Sequence, residues 1–166
     1  MIVISDTTPL ISLLKINRLD LLKKLFNTVY IPNFVLQELI SNPEYKSEAD
    51  TILNSQFIIT KNITDTTALH ILMRINMLDR GESEAIILAN ELNAEILLMD
   101  EVKGRKIAKK LGINLSGTLG VLMKAFDKNL LNTSEVLYYL DELQRYNRQI
   151  GEKLINQVKE HLKLYD

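Results

Sequence analysis

The stretch MIVISDTTPLI, residues 1–11, decides how the chain is read. Ile2–Ser5 is a short apolar run of the kind that fills a central strand, and it runs directly into Asp6, two threonines and Pro9. A carboxylate at the tip of a buried strand is costly to desolvate unless something pairs with it. Pro9 suits the first turn of a helix, so strand, acid and helix follow one another without a linker.

The same grammar continues down the chain. Short β-branched strands are expected at Val29–Ile31, Phe57–Thr60, Ile96–Met99 and Ile113–Leu115. Helices are expected at 10–15, 18–26, 33–40, 44–53, 68–77, 82–92, 102–111 and 118–126. The last forty residues read as helical, with Ser134 as N-cap of a helix over 135–146 and a final helix from about Glu152 to Leu164. Strands alternating with helices argue for an α/β sandwich around a parallel sheet. Runs such as IVI and ILLM support it, because parallel strands are buried on both faces.

Composition narrows the chemistry. With 166 residues, no linker and no internal repeat, one domain is expected over 1–166. The 46% hydrophobic and 25% charged content argues against disorder. Cysteine is absent, which removes thiolate metal sites and cysteine nucleophiles. Only two histidines occur, far apart, and neither is assigned a role. A formal charge of −1 means that nucleic-acid binding must use local patches. No apolar run reaches spanning length and no basic leader opens the chain, so a cytoplasmic protein without membrane association is expected.

In open parallel sheets, ligands sit beyond the carboxyl ends of the strands. Asp6 and Asp100, the residue after ILLM, both occupy that position, and adjacent strands would bring them to one edge. Each alone is an ordinary turn-capping aspartate; two at central strand tips point to function. On a helical wheel Glu38 falls between Phe34 and Val35, either as a site residue or as an edge glutamate whose stem lies along the core. Glu84 belongs to GESEAIILANE, a helix apolar on most sides, and falls between Ile87 and Leu88; a polar-pocket role is at least as good as any other there. Glu82 is read as a first-turn residue favoured by the helix dipole. Four carboxylates in one cleft repel each other unless a cation lies among them. Oxygen-only ligands suit Mg²⁺ or Mn²⁺, which lower the pKa of a bound water and stabilise a phosphodiester under attack.

Taken together, ISDTTPLI, VLQELI, LDRGESEAIILA, ILLMDEVKGRKIA and GTLGVL resemble the PIN-domain superfamily of metal-dependent ribonucleases, in a branch related to VapC-type toxins. The likeness covers residues 1 to about 130, with the helical C-terminal extension of about 131–166 outside the common core. It implies a three-layer α/β/α sandwich with a central parallel sheet. By that resemblance Asp6, Glu38, Glu84 and Asp100 are the catalytic, metal-binding acids, with Thr8 as the opening-motif hydroxyl; Glu101, a second acid beside Asp100, is a departure from the pattern, placed to replace or assist it. The third acid is glutamate where many relatives carry aspartate, and KGR replaces an aromatic residue after the fourth. The implied activity is an Mg²⁺- or Mn²⁺-dependent endoribonuclease that cleaves RNA phosphodiesters with a metal-activated water, as the toxin of a toxin–antitoxin pair. A homodimer and a small antitoxin-like protein partner are implied with it.

Lys103, Arg105, Lys106, Lys109 and Lys110 follow Asp100 with no acid among them, while Ile107, Ala108 and Leu111 would face inward. Arg105, with Lys103 and Lys106, is expected to hold RNA phosphates; an ordinary solvated face is the other reading, above all for Lys109 and Lys110. Three further functions compete. A phosphatase of the haloacid dehalogenase type would use Asp6 as nucleophile but wants an aspartate where Thr8 stands. A catalytically silent PIN-like module would bind a protein through its tail, whose apolar residues otherwise complete the core. Nucleotide-binding fingerprints are absent, since GTLG is too short to count.

Overall fold

The structure, a computed structural model, describes residues 1–146 and 150–163. Its strands are β1 (Val3–Ser5), β2 (Val29–Pro32), β3 (Ile58–Lys61), β4 (Ile96–Leu98) and β5 (Leu115–Ser116). The helices are α1 (Thr7–Lys15), α2 (Asp20–Phe26), α3 (Asn33–Ser41), α4 (Lys46–Leu53), α5 (Thr66–Ile75), α6 (Arg80–Glu91), α7 (Val102–Lys110), α8 (Thr118–Asp127), α9 (Thr133–Arg145) and α10 (Glu152–Lys163). All described strand pairings are parallel, in the order β3-β2-β1-β4-β5.

That order places a topological switch at the sheet's centre. From β1 the chain steps outward to β2 and β3, then crosses back to β4 and β5 on the other side. The connections diverge between β1 and β4, which opens a crevice at their carboxyl ends. Alternation along each strand sends neighbours to opposite faces. Val3 and Leu98 join a cluster with α1, α2, α8 and α9, while Ile4, Leu97 and Met99 join one with α5, α6 and α7. Both faces are covered, which is why these strands are apolar throughout and why the molecule has three layers.

The expected elements are present, with shifted ends. The helix α1 begins at Thr7, three residues earlier than expected, because Asp6 serves as its extended N-cap residue. The helix α6 begins at Arg80, not Glu82. Asp79 caps it: its side chain accepts from the Glu82 N–H at 2.8 Å, and Glu82 accepts in return from the Asp79 N–H at 3.1 Å. A second such reciprocal box, Asn132 with Glu135, starts α9 and replaces the expected cap at Ser134. The strand β5 lies at Leu115–Ser116, displaced from 113–115. Leu164, the expected end of the last helix, falls outside the described residues.

In the tail, Val136, Leu140, Leu143, Val158 and Leu162 are buried in the core, while Leu137 and Leu154 are exposed. On α7, Ala108 is buried and Ile107 half-buried, but Leu111, expected inward, is exposed at the helix end. No described helix is long and apolar enough to cross a membrane.

Candidate metal centre

Asp6 and Asp100 meet at the same end of the sheet, because β1 and β4 pair in register as Ser5 with Leu98. Asp6 is 3% exposed. Burial, followed by the negative charges of Asp79, Glu82 and Glu38, outweighs a hydrogen bond from the Thr7 backbone and raises its carboxyl to about pKa 7. Among the described residues no cation forms an ion pair with it.

The acids around Asp6 gather over one glycine. A Cβ placed on Gly81 would lie 3.4 Å from Glu38 Oε2, 3.5 Å from Asp79 Oδ1 and 3.7 Å from Asp6 Oδ1. Three carboxylate oxygens from three separate elements thus ring a gap that a side chain at 81 would fill. Glu38 opens to solvent instead of lying wholly in the apolar arc, and its Oε2 accepts from Thr7 Oγ1 at 2.6 Å. The surrounding cleft, about 550 Å³, is also lined by Thr8, Glu82, Glu101 and Lys103. Glu82 is buried and its carboxyl is raised, first by desolvation and then by Asp79 and Glu101.

Two of the expected acids stand differently. Glu84 is buried but spends Oε1 on Arg80 Nε at 2.9 Å, and Arg80 in turn stacks on Phe34 at 4.7 Å. Glu84 thus braces, within α6, the arginine that reaches α3, and it is not among the cleft's lining residues. Earlier in the chain, at the cap and first turn of α6, Asp79 and Glu82 line the cleft. Both were legible as a D-x-x-E capping box ahead of an apolar run. Asp100 is turned away: Oδ1 accepts from the Thr118 N–H at 2.8 Å and Oδ2 from Thr118 Oγ1 at 2.5 Å. It lines an adjoining cavity that shares Thr8 and Glu101 with the acid cleft.

The basic residues divide likewise. Arg105 turns inward, donating from one nitrogen to the carbonyls of Met99 at 2.7 Å and Ser116 at 2.9 Å, so it clamps the ends of β4 and β5 together. Lys103 lines the acid cleft and donates to the Met77 carbonyl at 2.7 Å. Met77 has a φ of +55°, unusual for a side chain of that size, and leads the chain into Asp79. Lys106, Lys109 and Lys110 remain exposed along α7. His70 is exposed, and His161 contacts Asp127 at 2.8 Å, away from the cleft.

Among the described residues, no group of three or more His, Asp or Glu side chains is placed so as to hold a metal ion as the side chains stand. The donor chemistry nevertheless fits a hard divalent cation. The three heavy atoms nearest to a Cβ on Gly81 are all carboxylate oxygens, and the buried Asp6 carboxyl has like charges for neighbours and no ion-pair partner among the described residues. Asp6, Glu38 and Asp79 would hold such an ion, with Glu82 and Glu101 beside them.

The comparisons with known proteins bear on the fold and the family. No curated protein matches the chain. Among solved structures, a PilT N-terminus domain protein, SSO1118, from the hyperthermophilic archaeon Sulfolobus solfataricus P2 shares the fold at a TM-score of 0.54 and 20% identity, covering 75% of this chain and 93% of its own. The family described as DUF3368, a PIN domain, matches residues 2–164 and so runs through the C-terminal helices as well as the sheet. With that match spanning nearly its whole length, the chain belongs to the PIN-domain family DUF3368.

Proposed function

We propose that this protein is an Mg²⁺- or Mn²⁺-dependent endoribonuclease. PIN domains generally include nucleases and typically use divalent metals. The observation that carries the reading is the group of Glu38, Asp79 and Asp6 oxygens over Gly81, with Asp6 buried and without an ion pair among the described residues. Held there by Asp6, Glu38 and Asp79, a divalent cation would supply Lewis acidity toward water and toward the charge of a phosphodiester.

The protein's own groups do the rest. The Thr7 hydroxyl holds the Glu38 carboxylate toward the cleft. The Asp79–Glu82 box fixes the start of α6, where glycine at 81 leaves the space between the three carboxylates open. Lys103 at the cleft wall, continued by Lys106, Lys109 and Lys110 along α7, offers a cationic track for the phosphates of a strand entering the cleft. Purified protein should cleave RNA with Mn²⁺ and not with EDTA, and Asp6→Asn should abolish cleavage. Cleavage persisting in that variant would locate the activity elsewhere.

The role of toxin, with a homodimer and a small antitoxin-like partner, extends this proposal from the family resemblance. Growth arrest on expression of wild type but not of Asp6→Asn tests it. A second reading, a catalytically silent protein-binding module, draws on the Asp100 carboxylate, whose two oxygens are both engaged by Thr118. Calorimetric Mn²⁺ binding that is lost in Asp6→Asn decides for the enzyme; no Mn²⁺ binding decides for the module.

A further inference from the structure

The cavity next to the acid cleft, about 470 Å³, draws its walls from α1, the end of β4, the start of α8 and the C-terminal helices. We propose that it is a nucleobase subsite, taking the unpaired base beside the scissile phosphate and preferring a base with an exocyclic amine. The proposal deepens the nuclease reading and rests on it for the identity of the ligand.

Ser12 lines this cavity at 1% exposure, and its hydroxyl is the buried side-chain polar atom without a hydrogen-bond partner among the described residues. A buried hydroxyl left unsatisfied is unfavourable, and a ligand's polar edge would satisfy it. Leu119, Leu143 and Leu154 add apolar surface to the lining beside the polar groups of Thr8, Ser12 and Thr118. A base has the matching anatomy: apolar faces for aliphatic walls and a donor–acceptor edge for hydroxyls and carboxylates.

Charge selects the base over its phosphate. Among the described residues the charged side chains lining the cavity are Asp100 and Glu101, whereas Lys103, Lys106, Lys109 and Lys110 lie along α7. An anionic phosphate is repelled here, while the N–H donors of guanine, adenine or cytosine meet carboxylate acceptors. Thr8 and Glu101 border both spaces, so a base held here leaves its phosphate next to the Asp6 cleft.

The test uses the four nucleoside 5′-monophosphates, titrated into the full chain in EDTA and followed by amide NMR. The expected result is shifts at Ser12, Leu119 and Leu154, with GMP, AMP or CMP binding more tightly than UMP. Ser12→Ala and Leu154→Ala should each weaken binding about three- to tenfold, as loss of one hydrogen bond or one apolar contact does. Leu154 is half exposed at the rim, so its variant keeps the core intact. With Mn²⁺, sequencing of cleaved RNA ends should show a base preference that Ser12→Ala flattens. Absence of shifts at these residues with all four nucleotides, or binding unchanged in both variants, overturns the subsite. The two readings separate: Asp6-dependent RNA cleavage without nucleotide binding here leaves the nuclease and removes the subsite. Binding here without any cleavage keeps the subsite and removes the nuclease.

Discussion

The backbone N–H of Asp6 donates to the carbonyl of Leu98 at 3.0 Å. This bond carries the β1–β4 ladder one residue past the last paired strand position. It sets the first acid of the chain against the tip of the strand that leads to Asp100, across nearly a hundred residues. The inner wall of the acid cleft therefore inherits the rigidity of the sheet's centre, while Glu38, Asp79, Glu101 and Lys103 form its solvent-exposed rim.

The raised Asp6 carboxyl makes stability depend on pH. The folded protein keeps a proton up to about pH 7 that the unfolded chain loses near its ordinary value of 3.8. Stability should therefore fall as pH rises between those values and then level off, by up to about 4 kcal/mol in the absence of metal. In urea melts with EDTA, Asp6→Asn should stabilise the protein at pH 8 and have little effect at pH 4. Added Mn²⁺ should stabilise wild type at pH 8 but not the variant. Equal stabilities at pH 8 would show that Asp6 is already compensated.

Gly81→Ala isolates the metal site from the fold. The new methyl would make ordinary contacts of 3.4–3.7 Å with the three carboxylate oxygens, at the centre of the gap they surround. Alanine in place of glycine inside a helix favours folding by roughly 1 kcal/mol. The expected outcome is an unchanged or higher Tm with Mn²⁺ affinity reduced at least tenfold, read by calorimetry. Retained affinity would place the ion elsewhere.

Asp79 and Glu84 can be told apart by amide substitution. Asn is as good an N-cap as Asp, so Asp79→Asn should leave the Tm within a degree or two while weakening Mn²⁺ binding. Glu84→Gln should act the other way, because its partner is Arg80. A lower Tm with Mn²⁺ affinity changed less than about threefold is expected. The reverse pattern would return Glu84 to the metal.

On α7, Lys106→Ala should weaken RNA binding and lower the slope of log affinity against log salt by about one, as loss of one phosphate contact does. Arg105→Ala should instead cost stability, since it frees the carbonyls of Met99 and Ser116. Thermal melts and filter binding on both variants check this directly. A reduced salt slope in Arg105→Ala at unchanged Tm would restore Arg105 as a phosphate ligand.

What the sequence determined by itself was local: the alternation of apolar strands and helices, the acids at the tips of β1 and β4, and the family resemblance carried by motifs in order. Those features follow from periodicity and desolvation, which act over a few residues. The direction in which each acid points was settled only in the tertiary structure. The helix α6 is buried on nearly every side, so its own pattern carries little information about rotation. Packing against the sheet and α3 turned Gly81 and Glu82 to the cleft and gave Glu84 to Arg80. Asp100 and Arg105 found partners, Thr118 and the Ser116 carbonyl, more than ten residues away. A strand tip sets where a side chain starts; the hydrogen-bond donors and acceptors brought beside it by the fold decide where it ends.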